Sequence, residues 1–365
     1  MRIQHISLND YRNYSKQIVS LGNGLNFIIG ANGEGKTNFL ESIYVLGLSK
    51  SYRSEDFDLI RFQTDYTKIK ALIAMKERQT EMQIIVSELG KKVLLNGQEV
   101  KRLSDYIGHL NIVLFAPEDL NLVKGSPVGR RYFFDIILGQ VNREYLDDLS
   151  NFKYVLKQRN ELLKQMQNSN SKDETLLDII TEQFAKACEK IVGTRQTFID
   201  DVGGRASHNY QFLTTKKDSF NLTYLPSLSG NIQQSLKSRY RTDILSGTTN
   251  YGPHRDDFDF LIADKSAKGL ASQGEQRMIV LAIDLAVVDY IFNLKNDKPI
   301  FLLDDVLSEL DQERQNRLLK YLISSGGQVI ITATGLNEID REIIRQSKIF
   351  KVAKGYIKEE THNGE

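Results

Sequence analysis

The chain has 365 residues, of which 41% are apolar, and it carries 48 lysines and arginines against 47 aspartates and glutamates. This length predicts two domains, or one large domain with an insertion. The formal net charge of +1 excludes a protein whose average field attracts nucleic acid, although a local basic face is compatible with it.

Cysteine content and hydropathy limit the class of protein further. The one cysteine, Cys188, excludes a disulfide framework and a cysteine-based zinc site, and it fits a reducing compartment. The N-terminus lacks the apolar core of a signal peptide, and no run approaches the ~18 apolar residues of a membrane span. We therefore expect a soluble, cytoplasmic protein.

Strand-like runs dominate the first 120 residues. They are rich in β-branched residues and are separated by turn residues. The predicted strands are Leu25–Ile29, Lys68–Ala74, Met82–Val86, Lys92–Leu95 and Asn111–Phe115. Asn96 and Gly97 follow the fourth run and predict a hairpin turn.

Residues 121–250 have a helical pattern instead. Apolar residues recur at helical spacing from Phe152 to Met166 and again from Leu176 to Ile191, with the polar stretch Gln167–Glu174 between them. This pattern predicts a short antiparallel helical hairpin. The segment holds 18 lysines and arginines against 14 aspartates and glutamates, whereas the rest of the chain holds 30 against 33. The basic part is therefore the helical segment, although an ordinary solvated surface would have a similar charge.

Strand patterns return near the C-terminus. They cover Phe258–Ile262, Ile300–Leu303 and Val329–Thr332, with a helical stretch from Glu275 to Phe292. We therefore predict an α/β domain assembled from both chain ends, residues 1–120 and 251–365, with a mainly helical lobe, residues 121–250, inserted between them.

One segment matches the phosphate-binding pattern G-x-x-x-x-G-K-[ST]. Its residues are Gly30, Ala31, Asn32, Gly33, Glu34, Gly35, Lys36 and Thr37. A predicted strand precedes the motif and the helical run Asn38–Leu46 follows it, which is the context that a P-loop requires. Glycines let backbone N–H groups surround phosphate oxygens, and the start of the helix adds the positive end of its dipole. Lys36 would then reach the β- and γ-phosphates, and the Thr37 hydroxyl would bind Mg²⁺.

A magnesium site of this kind also needs a carboxylate at the end of a neighbouring buried strand. Ile300–Leu303 are four apolar residues in a row, which suits a parallel strand buried on both faces. Asp304 and Asp305 follow directly, and two carboxylates there are costly without a cation. We predict that Asp304 binds Mg²⁺ and that Asp305 orients the attacking water. The alternative is that the pair caps the next helix.

Two more motifs extend this pattern. Ser272, Gln273, Gly274 and Glu275 precede a predicted helix, and Ser308–Asp311 follow the acidic pair. Taken alone, the first motif could be an ordinary capping box. In order with the P-loop and the acidic strand, the two resemble the signature motif and D-loop of ABC-type ATPases. The resemblance implies a homodimer in which the signature of one protomer contacts the ATP held by the other.

Further sequence strings narrow this resemblance. They are Asp10–Tyr14, Phe115–Leu120, Gly125–Pro127, Leu156–Asn160 and Gly252–Asp257. With the motifs above, they cover residues 1 to about 352 and resemble the RecF family of SMC-like recombination and repair ATPases. The resemblance implies an ATP-dependent dimer that binds DNA at single-strand gaps and, with RecO and RecR partners, helps to load RecA. It also implies that Asn38 contacts nucleotide and that Arg53 points toward nucleotide or DNA, although an isolated arginine is more often a solvated surface residue.

The chain departs from the transporter-type ABC pattern at two places. Asp305 stands where those proteins have glutamate, and Ile331–Thr334 holds no histidine after the last core strand. A shorter base and a hydroxyl in place of imidazole predict slow, switch-like hydrolysis that DNA stimulates. Two alternatives stay open: the nucleotide-binding subunit of a membrane transporter, and a non-hydrolysing adaptor. The non-standard signature and the basic insertion argue against the transporter.

Basic residues of the insertion are the candidate DNA contacts. They are Lys124, Arg130, Arg131, Lys153, Lys157, Arg159 and Lys164. Contacts of this kind neutralise phosphates without reading bases, so binding to double-stranded DNA or to a gap junction should be sequence-independent and sensitive to salt. Arg130 and Arg131 could equally be intramolecular ion-pair partners.

Overall fold

The computed structural model describes residues 1–76, 78–168, 174–214 and 218–360. These residues form two compact units. The first unit comprises Met1–Leu120, Phe212–Thr215 and Val280–Glu365, and the second comprises Asn121–Gln211 and Lys216–Ile279.

The strands carry labels in chain order. They are β1 (Arg2–Tyr11), β2 (Tyr14–Ser20), β3 (Leu25–Ile29), β4 (Tyr66–Ala74), β5 (Gln79–Ser87), β6 (Gly90–Leu95), β7 (Gln98–Glu99), β8 (Ile112–Phe115), β9 (Phe220–Leu225), β10 (Asp257–Ile262), β11 (Lys265–Ser266), β12 (Ile300–Leu303), β13 (Val329–Ala333), β14 (Lys348–Ala353) and β15 (Tyr356–Glu360).

The α-helices are labelled in the same way. They are α1 (Lys36–Leu48), α2 (Leu103–Tyr106), α3 (Asn121–Lys124), α4 (Pro127–Val141), α5 (Arg143–Asn168), α6 (Glu174–Thr214), α7 (Ile232–Lys237), α8 (Tyr240–Ser246), α9 (Ala267–Leu270), α10 (Gln273–Lys295), α11 (Gln312–Ser325) and α12 (Arg341–Arg345). Short 3₁₀ turns cover Asp56–Leu59, Pro117–Leu120 and Leu307–Glu309.

Two six-stranded sheets build the first unit. One is antiparallel, in the order β2-β1-β4-β5-β6-β7, and the other has the order β15-β14-β3-β13-β12-β8. Helix α1 packs against both sheets, because its buried residues Phe39 and Ile43 share one apolar cluster with Ile69 of β4 and Ile330 of β13. The core of this unit is therefore continuous through both sheets.

The parallel strands place the phosphate motif and the acidic pair at one edge. Strands β3, β13, β12 and β8 run parallel, and β3, β13 and β12 are almost wholly buried. For β12, the unbroken apolar run predicts this burial. The carboxyl ends of β3, β12 and β13 are Ile29, Leu303 and Ala333. The residues that follow β3 therefore come together with those that follow β12 and β13, although about 270 to 300 positions of the chain separate them.

The other predicted strands of this unit are confirmed, with ends that shift by a few residues. The hairpin is confirmed as well: Leu95 pairs with Gln98, and Asn96 and Gly97 have φ angles of +49° and +79°. Two positive φ angles define the turn type that Asn-Gly favours. Strands β1, β2, β14 and β15 were not predicted.

The second unit is mainly helical but contains a three-stranded sheet in the order β11-β10-β9. Helix α5 and the 41-residue α6 contain the two predicted helical runs, and Leu162, Leu163, Met166 and Leu177 form an apolar cluster between them. Most of the predicted turn, residues 169–173, lies outside the described residues. The unit begins at the predicted residue 121 but extends beyond 250 to Ile279, because β10 pairs along its whole length with β9.

Candidate nucleotide-binding site

The P-loop lies between β3 and α1, and its backbone depends on glycine. Gly33 and Gly35 have φ angles of +83° and +119°, a region that residues with a Cβ atom rarely adopt. Lys36 begins α1 and is almost completely buried. Its ammonium group donates to the carbonyl oxygens of Gly30 at 2.8 Å and Ala31 at 3.0 Å, so it lies across the loop.

Side chains from the turn after β1 and from the first residue of β2 hold the P-loop in place. Asn13 donates to the Glu34 carbonyl at 2.9 Å, and the Tyr14 hydroxyl donates to the Gly35 carbonyl at 2.8 Å. Asn38 donates to Asn13 Oδ1 at 2.8 Å. A Cβ atom at Gly35 would lie 2.5 Å from the side-chain amide of Asn13, so a larger residue there would displace Asn13 from this contact. This explains physically why the Asp10–Tyr14 string accompanies the P-loop.

A buried carboxylate, Glu41, anchors two arginines behind the loop. It accepts two hydrogen bonds from Arg12, at 3.0 Å and 2.8 Å, and others from Tyr11 at 3.0 Å, Ser51 at 2.6 Å and Arg53 at 3.0 Å. Burial alone would raise the pKa of Glu41, but these bonds outweigh it and lower the pKa to about 2. Glu41 therefore carries its charge across the physiological range.

Arg53 lies in the loop after α1, and its side chain reaches back to the first turn of that helix. Besides Glu41, it donates to the side chain of Asn38, which the family resemblance assigns to nucleotide contact. Its guanidinium carbon is 5.9 Å from the centre of the Tyr52 ring. The structure thus places Arg53 beside the nucleotide motif; its contact with nucleotide or DNA stays a prediction.

The predicted metal ligands meet at the edge of the parallel sheet. Thr37 Oγ1 lies 3.0 Å from Asp304 Oδ1, and the same oxygen accepts a hydrogen bond from Thr332 at 2.7 Å. Tyr52 donates to Asp304 Oδ2 at 3.3 Å. Asp304 is nearly buried and, within the described part of the chain, forms no ion pair. A buried carboxylate beside a threonine hydroxyl fits Mg²⁺, which prefers oxygen ligands.

Asp305 occupies a strained turn directly after this ligand. Its φ is +51°, its amide donates to Thr332 Oγ1 at 2.8 Å, and its carbonyl accepts from Ser308 at 2.9 Å. Its Oδ1 atom is buried and has no hydrogen-bond partner among the described residues. Burial raises the pKa of Asp305; Lys36 opposes this rise and Asp304 adds to it. The capping alternative is wrong for α11, because Asp311 caps that helix by accepting from the Arg314 amide at 2.9 Å.

The signature motif lies in the second unit, at the start of α10. The Ser272 hydroxyl accepts from the Glu275 amide at 3.3 Å, and Glu275 Oε2 accepts from the Ser272 amide at 3.0 Å. This is the reciprocal geometry of a capping box. Ser272, Gln273 and Gly274 are exposed. The motif therefore caps its helix and still presents its surface to solvent.

The chain matches known proteins over nearly its whole length. Residues 2–358 match the family described as the RecF/RecN/SMC N terminal domain. The chain is 40% identical to the DNA replication and repair protein RecF of Staphylococcus carnosus (strain TM300), over 98% of this chain and 100% of that protein. The chain belongs to the RecF family. Its RecF relative from Geobacillus sp. (strain WCH70) is 42% identical, with 98% of each chain covered.

Solved RecF structures have the same fold. The recombination mediator protein RecF-ATPrS in the RecFOR pathway is similar with a TM-score of 0.88 and 28% identity, over 99% of this chain and 98% of that one. The RecF-ATP structure has a TM-score of 0.89 at 28% identity, over 98% and 97%. An SMC head bound to the winged-helix domain of ScpA has a TM-score of 0.58 at 18% identity, over 100% and 98%, which shows a shared fold. These matches confirm the predicted RecF-type ABC ATPase class and its role in DNA replication and repair.

Two predicted DNA contacts are wrong. Arg130 is buried and donates to both carboxylate oxygens of Asp257, at 2.6 Å and 2.9 Å, which confirms the ion-pair alternative. Arg159 is completely buried and donates to Asp243 at 2.8 Å. Neither guanidinium group can reach a DNA phosphate, because both are enclosed by protein.

The remaining basic candidates of the second unit are accessible to different degrees. Lys124, Lys153, Lys157 and Lys164 are exposed. Arg131 is half-buried and donates to the carbonyl oxygen of Asp256. The candidate DNA surface is therefore reduced mainly to lysines.

The RecF assignment argues against the transporter alternative, since it places the chain among replication and repair proteins. Within the described ranges, none of the helices combines the length and the apolar character that a membrane span requires.

Sequence reasoning missed several residues of the nucleotide site. They are Tyr11, Arg12, Asn13, Tyr14, Glu41 and Tyr52. Thr332 entered the sequence analysis only as part of the stretch that has a hydroxyl in place of histidine, without its contacts to the two aspartates. A signal existed for Glu41, because it is the one carboxylate inside the apolar helix α1. The Asp10–Tyr14 string contributes to the family resemblance, but only the fold shows its contacts with the P-loop.

Proposed function

We propose that ATP binding at the P-loop joins two copies of this chain into a dimer that binds DNA at single-strand gaps, and that slow, DNA-stimulated hydrolysis releases it. The observation that carries the proposal is the meeting of Thr37 and Asp304, 3.0 Å apart, beside Lys36 and Asp305. This is the arrangement that phosphoryl transfer from a P-loop nucleotide requires.

Each residue of the site has a task in this proposal. Backbone N–H groups of the P-loop and the Lys36 ammonium bind the phosphates. Thr37 and Asp304 would hold Mg²⁺, which when bound neutralises phosphate charge. Asp305 accepts a hydrogen bond from the attacking water, and its unpartnered buried Oδ1 and raised pKa support this role.

Dimerisation would complete the nucleotide site. Ser272, Gln273, Gly274 and Glu275 are proposed to contact the γ-phosphate of ATP held by the second copy. Their position at an exposed helix N-terminus supports this, because the positive end of the helix dipole favours an anion. Hydrolysis removes that phosphate and weakens the contact, which opens the dimer.

DNA binding is proposed for the exposed lysines of the second unit. Lys124, Lys153, Lys157 and Lys164 can neutralise phosphates without reading sequence. A few cations per copy bind DNA weakly at physiological salt, so two copies held together by ATP should bind far better than one. Bound at a gap, the dimer would act with RecR and RecO to load RecA.

Sedimentation and phosphate release test this function together. The wild-type chain should dimerise with ATP and cosediment with gapped DNA, and its turnover without DNA should stay well below tens per second. Asp305→Asn should keep ATP-dependent dimerisation and lose phosphate release, whereas Asp65→Asn, an exposed control, should change neither. A wild-type chain that dimerises but never hydrolyses would favour the adaptor. A chain that hydrolyses rapidly as a monomer without DNA would contradict the proposal.

A further inference from the structure

A single hydroxyl connects the two acidic residues of the site. Thr332 is fully buried in β13, between the P-loop strand β3 and the acidic strand β12. Its Oγ1 donates to Asp304 Oδ1 at 2.7 Å and accepts from the Asp305 amide at 2.8 Å. A hydroxyl has one hydrogen to donate and lone pairs to accept with, so this position uses both capacities.

The backbone of Asp305 depends on that contact. Its φ of +51° lies in the left-handed region, which is unfavourable for a residue with a Cβ atom. Thr332 holds the amide side of this residue, and Ser308 holds its carbonyl at 2.9 Å. The direction in which the Asp305 side chain leaves the turn is therefore set by the two hydroxyls.

Asp304 is oriented by the same threonine. Thr332 and Thr37 both contact its Oδ1 atom, whereas Tyr52 contacts its Oδ2 atom. Groups that hydrogen-bond to a metal ligand fix its orientation and tune its affinity for the metal. Thr332 thus forms hydrogen bonds both to the expected Mg²⁺ ligand, Asp304, and to the expected water-orienting residue, Asp305.

We propose that Thr332 is a positioning residue for ATP hydrolysis, whose hydroxyl sets the geometry of both carboxylates. This inference rests on the roles proposed above for Asp304 and Asp305. Valine has nearly the shape of threonine and suits a strand equally well. It would leave the Asp305 amide without its acceptor and remove one of the three hydroxyl donors to Asp304, so the chemistry of the hydroxyl can be separated from its packing.

The test compares Thr332→Val with Thr332→Ser and with Thr67→Val. Thr67 is a buried threonine in β4 of the same unit, and its hydroxyl donates to the Asn9 carbonyl at 3.0 Å, away from the acidic pair. ATP affinity, the kcat of DNA-stimulated hydrolysis, the Mg²⁺ dependence of the rate and thermal unfolding are measured for each full-length variant.

The expected result is a split between binding and turnover. Thr332→Val should lower kcat by about 10- to 100-fold and raise the half-saturating Mg²⁺ concentration about tenfold, while the affinity for ATP changes little. Thr332→Ser should recover most of the turnover, and Thr67→Val should keep the wild-type kcat. If Thr332→Val does not fold, Thr332→Ala removes the hydroxyl without placing a methyl group against the Asp305 amide and gives the same readout.

Three outcomes would overturn the inference. They are wild-type kcat and Mg²⁺ dependence in the variants that lack the hydroxyl, an equal loss in Thr67→Val, and no recovery in Thr332→Ser. Asp304→Ala and Asp305→Asn separate this failure from a failure of the proposed function. If those two variants lose hydrolysis while Thr332→Val keeps it, Thr332 has no positioning role. If they keep hydrolysis, the proposed roles of the two aspartates are themselves wrong.

Discussion

Arg159 donates to Asp243 at 2.8 Å inside the second unit, where both side chains are almost completely buried. The same nitrogen donates to Thr249 at 2.7 Å, and Nε donates to Thr181 at 3.1 Å. The guanidinium group also lies 5.9 Å from the centre of the Tyr240 ring. Arg159 therefore joins α5 to α6 and α8 and is part of the folded core.

This pair predicts a stability defect for Arg159→Ala. Removing one partner leaves the Asp243 charge buried and uncompensated, which should lower the free energy of unfolding by about 3–5 kcal/mol. Lys157→Ala, two residues earlier on the same helix, removes an exposed charge and should change stability by less than about 0.5 kcal/mol. Urea unfolding of both variants measures the difference. Wild-type stability in Arg159→Ala would contradict the structural role.

The exposed lysines of α5 predict the salt dependence of DNA binding. Replacing Lys153, Lys157 and Lys164 with alanine removes up to three phosphate contacts. Because each contact contributes roughly 0.9 to the slope of log affinity against log salt, the slope should fall by about 2 to 3. Titration of gapped DNA at several salt concentrations measures it. The control replaces the exposed Lys16, Lys101 and Lys358 of the first unit, and an equal slope in both triple variants would contradict a DNA surface on α5.

Glu41 predicts a pH-dependent contribution to stability. Its pKa is lowered to about 2 in the folded chain, so its ionised form stabilises the fold above the unfolded pKa of 4.5, and this stabilisation is lost as pH falls from about 5 toward 2. Glu41→Gln should lower the free energy of unfolding at pH 7 by roughly 3 kcal/mol, and the difference from wild type should shrink as pH falls below about 4.5.

The same substitution should weaken nucleotide binding, because Arg53 loses its anchor beside Asn38. Unfolding from pH 3 to 7 and ATP titration measure the two effects. Glu88→Gln, at an exposed site, is the matched control. A pH-independent difference between Glu41→Gln and wild type would contradict the low pKa.

A second buried carboxyl, Asp284 of α10, predicts the opposite pH dependence. It is completely buried, and neither of its oxygens has a hydrogen-bond partner among the described residues. Burial first, and then the charge of Asp119, raise the pKa of Asp284 well above its usual range. The folded chain therefore binds a proton that the unfolded chain releases, so stability falls as pH rises above about 4.

Asp284→Asn should remove this penalty. It should raise the free energy of unfolding at pH 7 by at least about 1 kcal/mol and make little difference near pH 4. Denaturant unfolding at several pH values measures the effect, with Asp65→Asn as an exposed control. A variant that is less stable than wild type at pH 7 would show that the ionised carboxylate is used in the fold.

The sequence by itself determined the parts of the site that depend on local chemistry. Glycines at Gly33 and Gly35 are needed for a backbone of positive φ, and an unbroken apolar run is needed for β12. The helical pattern of α5 also indicates that Arg159 is buried, because Arg159 lies on the same apolar stripe as Val155 and Leu162. That stripe faces the interior, so the burial of Arg159 was within reach of sequence reasoning.

The tertiary structure alone decided which distant residues meet. Asp243, the ion-pair partner of Arg159, is 84 positions away in the chain. The hydrogen-bond donors to Glu41 come from β1, from the turn after β1 and from the loop after α1. The sequence shows a hydroxyl in place of histidine in the stretch that contains Thr332, but its contact with Asp304 and Asp305 follows only from the pairing of β12 with β13. Periodicity tells which face a side chain occupies, but hydrogen bonds form over about 3 Å, and only the packing of strands and helices brings atoms that close.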